Sequence, residues 1–129
     1  MSSLSASFEL LPVPASVPTA RHVVVELLRA WQVPHDLDDA ALLITELVSN
    51  VIDHVAGEAT LTVEAESSGT WLRLGVVDGS AVLPVVQELD HGRPRGRGLR
   101  MLQLIAVRWG SEEVRGGKRV WFELGSADL

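Results

Sequence analysis

Two runs of alternating apolar and polar residues, "ATLTVEAE" (59–66) and "TWLRLGVVD" (70–78), are joined only by Ser67-Ser68-Gly69. A connection that short cannot carry a crossover, so the runs are expected to pair as an antiparallel hairpin. A second hairpin closes the chain in "SEEVRGGKRVWFEL", with Gly116-Gly117 as the expected turn and Val120, Phe122 and Leu124 on one face. Strands that follow one another in this way argue against a doubly wound parallel sheet.

The remaining segments fit around these hairpins. "LSASFELL" alternates Leu4, Ala6, Phe8 and Leu10 against polar neighbours, and "PVPASVP" breaks the strand. A first helix is expected to be capped by Ser16 or Thr19. It carries Val23, Val24, Leu27, Leu28 and Trp31 on its apolar stripe and stops before Pro34. A second helix should start near His35 or Asp36, with Asp36, Asp38 and Asp39 in an acidic first turn. Its stripe is Leu37, Ala40, Ala41, Ile44, Leu47, Val48, Val51 and Val55, and Gly57 is the expected stop. Residues 80–95 contain two prolines and no sustained period, and read as a long loop. From Gly98 the spacing of Leu99, Leu102, Ile105, Ala106 and Trp109 is helical again. The order β-α-α-β-β-loop-α-β-β implies one α+β domain over residues 1–129. Its architecture is a two-layer α/β sandwich, with a mixed, largely antiparallel sheet covered on one face by three helices. The open face must then be shielded or used in dimerisation. Most of Trp31, Trp71, Trp109 and Trp121 are expected in or beside the core, with Trp71 the alternative anchor for a partner.

Composition narrows the chemistry. The 129 residues include no cysteine, which removes thiolate zinc sites, disulfides and thiol nucleophiles. A formal charge of -6, with one lysine and ten arginines, argues against general nucleic-acid binding, although Arg93, Arg95, Arg97 and Arg100 cluster locally. The first residues lack the basic and apolar regions of a signal peptide, and no apolar run reaches membrane-spanning length. A cytoplasmic protein that binds neither nucleic acid nor membrane is expected.

Three stretches carry candidate chemistry. In "ELVSNVIDH", Glu46 and Asn50 stand at i and i+4 on a flank of the stripe, with Asp53 and His54 one turn further on. A carboxylate beside an amide oxygen suits a general base next to a magnesium ligand, since Mg2+ needs few protein oxygens when phosphates supply the rest. The same positions also suit a solvent-facing helix edge. Asp78-Gly79 ends an apolar strand, where the carboxylate can accept from an exocyclic amine such as that of adenine, or simply end the strand in a turn. Gly96-Arg97-Gly98 precedes the helix that opens with Leu99. Exposed N–H groups there would seat phosphate oxygens, unless the segment is only a flexible loop.

In this order the stretches resemble the Bergerat-fold ATPases, the superfamily of gyrase B subunits and sensor histidine kinase catalytic domains. Within it the chain is most similar to the small anti-sigma-factor serine/threonine kinases and their standalone actinobacterial relatives. "ELVSNVIDH" resembles the N box, "VVDGS" the first glycine box and "GRGLRML" the second, and the likeness runs from about Pro14 to Leu124. The resemblance implies Glu46 as catalytic base, Asn50 as the Mg2+ ligand, and Asp78 with Gly79 at the adenine. Gly96, Arg97, Gly98 and Leu99 would lie at the phosphates, and Asp53 and His54 near the nucleotide. It implies ATP and Mg2+ as cofactors, residues 80–95 as a short lid, a small antagonist protein as phosphoacceptor, a sigma factor as possible second partner, and a homodimer. Ser80, Ala81 and Val82 follow Gly79 where a further glycine is usual, and Asp53 stands where Arg or Lys is common. These departures favour the alternative, a non-catalytic module that sequesters a sigma factor or another regulator.

Overall fold

A computed structural model describes residues 3–54, 60–68, 70–78, 102–114 and 116–125, with nothing given for the His54 side chain. Gly57, Gly79, the expected lid at 80–95 and residues 96–99 therefore lie outside the described residues. The elements are β1 (Leu4–Leu10), α1 (Ser16–Trp31), α2 (Leu37–His54), β2 (Leu61–Ser67), β3 (Trp71–Asp78), β4 (Arg108–Val114) and β5 (Gly117–Gly125). They form one five-stranded sheet in the order β1-β2-β3-β5-β4. All four pairings are antiparallel, so the described strands contain none of the parallel pairing that a mixed sheet would have.

One face of the sheet is apolar because the alternation of each strand stays in phase across the register. Leu61, Val63 and Ala65 of β2, Leu72, Leu74 and Val76 of β3, and Phe122 and Leu124 of β5 are buried. They meet Ala20, Val24 and Leu28 of α1, and Ala40, Leu43, Ile44, Leu47, Val48 and Val51 of α2. Leu43, which the expected stripe left out, is fully buried.

The helix starts differ in how they are satisfied. α2 starts at Leu37, and Asp36, expected in its first turn, instead caps it, its Oδ1 accepting from the Asp38 and Asp39 amides at 2.9 and 3.1 Å. At α1 the cap residue is Ala15, and no side chain caps it. Ser16 lies inside the helix and its Oγ donates backwards to the Leu11 carbonyl at 2.7 Å. The preceding turn does the work of a cap: the Ser16 and Val17 amides donate to the Val13 and Pro14 carbonyls at 2.9 and 3.1 Å, and Pro18 has no N–H to satisfy.

Two expectations near the C-terminal hairpin are corrected. Helix is present at residues 102–105, but Trp109 belongs to β4 and pairs with Phe122. The Val107 amide already bonds the Glu123 carbonyl at 2.8 Å, so sheet pairing overrides the helical spacing from that point. The turn also shifts by one residue. Val114 pairs with Gly117, leaving 115–116 between the strands, and Gly116 takes the positive φ of 82° that such a tight turn demands.

The face opposite the helices is covered by charges. Arg73 and Arg108 both hold Glu123, with Nε contacts of 2.9 and 2.7 Å, and Arg119 Nε holds Glu64 at 2.7 Å. The Arg73 guanidinium lies 4.3 Å from the Trp121 ring centre. Gly75 and Gly110, the register partners of Trp121, leave room for the indole, and a Cβ on Gly110 would come within 3.0 Å of it. A shallow trough of about 500 Å³ runs over this surface. All four tryptophans are half-buried.

The Arg108 guanidinium, assisted by Arg73 and opposed by burial, holds the Glu123 carboxyl below its usual range. A depressed carboxylate stabilises the fold above the unfolded pKa of about 4.3, and the contribution is lost as pH falls through the lower folded value. Glu123→Gln is therefore expected to melt a few degrees below the wild type at pH 7, with the two curves converging in strong acid. Thermal melts at both pH values check this, and a gap that persists in acid contradicts it.

Candidate functional site

The helix α2 and the strand β3 are brought into line at their beginnings. His35, just before α2, donates from Nε2 to the carbonyl of Thr70, just before β3, at 3.4 Å. From there a helix advancing about 1.5 Å per residue carries Asn50 about 20 Å past Leu37, and a strand advancing about 3.3 Å per residue carries Asp78 about 23 Å past Trp71. Elements running side by side from that contact would carry the two candidate residues to the same end of the two layers.

Each has a local reason for its setting. Glu46 and Asn50 are half-buried on the flank of the apolar stripe, and Asp53 is exposed. Asn50 Oδ1 is buried and has no hydrogen-bond partner among the described residues. A buried oxygen of this kind ordinarily costs about 1–3 kcal/mol when it is left unmet, and a bound ligand would supply a partner. A neutral amide oxygen is a suitable ligand for Mg2+, and the residues present fit the ion on this observation. Among the described residues no three His, Cys, Asp or Glu side chains converge on a metal position. A cation here would rest on few protein ligands, as one that bridges phosphates does.

Asp78 continues the inward alternation of β3 after Leu72, Leu74 and Val76, which makes it a carboxylate at the end of an apolar face, 2% exposed. Its neighbours in register are Leu61 on one side and Lys118 on the other. Lys118 is 6% exposed, and its Nζ stands 3.9 Å from Asp78 Oδ2, a charge contact longer than a hydrogen bond. Sequence reasoning passed over Lys118. The available signals were that it is the chain's one lysine and that it shares the two-residue period of Val120, Phe122 and Leu124.

Asp78 and Lys118 are thus buried side by side on β3 and β5, while Glu46 and Asn50 are half-buried on the flank of α2. Gly79, Gly96, Arg97, Gly98, Leu99 and the His54 side chain lie outside the described residues.

Comparison with known proteins agrees with this architecture. Residues 11–124 match the model of the histidine kinase-like ATPase domain family. Among solved structures, the catalytic domain of the histidine kinase ThkA superposes with a TM-score of 0.61 at 15% identity, covering 94% of this chain and 97% of that one. The histidine kinase domain of the blue-light-activated histidine kinase of Erythrobacter litoralis superposes with a TM-score of 0.53 at 21% identity over 71% of this chain. The match spans 45% of that chain, less than half of its length. No curated protein matches. An antiparallel five-stranded sheet with helices on one face is the architecture that these structures share. The chain belongs to the histidine kinase-like ATPase domain family, and ATP binding is what that membership implies. No helix among the described residues is long and apolar enough to cross a membrane.

Proposed function

We propose that this protein binds ATP with Mg2+ and acts as a regulatory serine/threonine kinase of the anti-sigma-factor type, phosphorylating a small antagonist protein. The observation that carries the reading is the buried Oδ1 of Asn50, which has no hydrogen-bond partner among the described residues, together with the buried carboxylate of Asp78 at the end of β3. In this reading Asn50 holds the cation and Asp78 accepts from the base amine. Magnesium, when bound, offsets the phosphate charge. Glu46 takes the proton of the attacking serine hydroxyl as its oxygen bonds to the terminal phosphorus, the bridging P–O bond breaks and ADP leaves.

The partners follow from the same reading. A homodimer is the expected assembly, with the edge strand β1 paired only to β2 among the described residues and Leu4 exposed on it. A sigma factor is the expected second partner, and the cytoplasm the expected compartment.

A second reading draws support from Lys118. Its ammonium balances Asp78 across 3.9 Å, which suits a structural ion pair inside a non-catalytic module that sequesters a regulator without nucleotide.

Calorimetric titration separates the two. The wild type is expected to bind ATP more tightly with Mg2+ than without. Asn50→Ala should lose that magnesium dependence while melting at the same or a higher temperature, because the substitution removes an unsatisfied buried oxygen and adds a better helix former. No ATP binding by the wild type, with or without its antagonist protein, would reject the kinase. Magnesium dependence retained in Asn50→Ala would remove Asn50 from the cation.

A further inference from the structure

The single lysine of the chain is spent in an unusual place. A lysine side chain carries a large entropic cost on burial and a strongly hydrated charge, and such residues are seldom interior unless paired. Lys118 is nevertheless 6% exposed, on the face of β5 that continues into buried Phe122 and Leu124. The register sets it directly opposite Asp78, itself 2% exposed. Their charged ends are 3.9 Å apart. The five-stranded sheet thus ends, at this point, in one strong acceptor and one strong donor side by side on adjacent strands.

That arrangement has a chemical complement. An ammonium offers three donors and a carboxylate about four acceptor positions, so each can hold the other and a third group together. A third group that satisfies both must show a donor and an acceptor at neighbouring positions of one edge. Adenine does so with its exocyclic N6 amine and the adjacent ring nitrogen N1. The phenolic, hydroxyl and amide side chains common in small-molecule sites also read polarity, but a charged donor in a site shielded from water discriminates more strongly.

We propose that Lys118 is a second base-reading residue, donating to adenine N1 while Asp78 accepts from N6. The proposal deepens the nucleotide reading above and rests on it. It makes Lys118 a specificity-determining group whose positive charge does two jobs: it balances the Asp78 carboxylate in the absence of nucleotide and recognises the ring nitrogen in its presence.

The test changes the ligand first, so that it does not depend on a variant that folds. Wild-type protein is titrated with ATP, with 1-deaza-ATP, in which N1 is replaced by C–H, and with 7-deaza-ATP, which keeps N1. Removing the acceptor from a charged donor is expected to weaken 1-deaza-ATP about tenfold or more relative to ATP, with 7-deaza-ATP close to ATP. In Lys118→Met, checked for folding by its melting curve, the difference between ATP and 1-deaza-ATP should collapse. Equal affinity of the wild type for ATP and 1-deaza-ATP overturns the role of Lys118 and leaves the nucleotide reading standing. A loss confined to 7-deaza-ATP overturns it as well. Failure of ATP itself to bind overturns both.

Discussion

With Asp78 in the proposed base-reading role, Asp78→Asn is expected to lower the affinity for ATP at least tenfold and also to weaken the fold. Both effects come from the position of the carboxylate, 2% exposed at the end of the apolar face of β3. A hydrogen bond from a base amine to a buried, charged acceptor contributes about 1.5–3 kcal/mol, against about 1 for a neutral one, and an amide can also present its NH2 where the oxygen stood. The stability term arises from Lys118. Removing one member of a buried ion pair typically costs about 3–5 kcal/mol, and the 3.9 Å separation places this pair at the lower end. Chemical denaturation of the nucleotide-free variant measures the second effect and titration at a temperature where it is folded measures the first. Unchanged ATP affinity in a folded Asp78→Asn would take Asp78 out of the base site.

In the proposed kinase, Glu46→Ala is expected to separate chemistry from binding. Glu46 is half-buried on α2 and is not a member of the core cluster, and alanine is at least as good a helix former. The variant should therefore fold, bind ATP with Mg2+ within about twofold of the wild type, and lose phosphoryl transfer by about 10²–10⁴-fold, the range a positioned general base supplies. Phosphorylation of the proposed antagonist protein, followed alongside ATP titration, gives both readouts. A parallel loss of binding would mean that Glu46 holds nucleotide rather than a proton.

The parts of this account that could be read from the chain are the parts set by local periodicity. Alternation on either side of Ser67-Ser68-Gly69 defines the β2–β3 hairpin, and the spacing of Ala40, Ile44, Leu47, Val48 and Val51 defines the buried side of α2 and hence the flank that Glu46 and Asn50 occupy. Asp78 was visible for the same reason, as a charge closing an apolar run. What escaped was decided by pairing between distant strands. Trp109 continues a helical spacing in sequence, yet the bond from the Val107 amide to Glu123 has already committed the chain to the sheet. Lys118 follows the two glycines of the expected turn, and only the β3–β5 register puts it opposite Asp78. The α1 cap was misassigned because the carbonyls of Val13 and Pro14 satisfy amides that a serine or threonine side chain would otherwise serve.

The charged outer face bears on how the domain is used. Arg73, Arg108 and Arg119 are each tied to glutamates, and Glu123 collects two of them, with the Arg73 guanidinium over the Trp121 ring. Partly exposed pairs of this type contribute modestly to stability.

A structure determined with a non-hydrolysable ATP analogue and Mg2+ interrogates the account at its centre. It should show the Asn50 amide oxygen coordinating the cation and the Asp78 carboxylate hydrogen-bonded to the amine of the base. Nucleotide bound elsewhere on the chain, or a cation out of reach of Asn50, would contradict it.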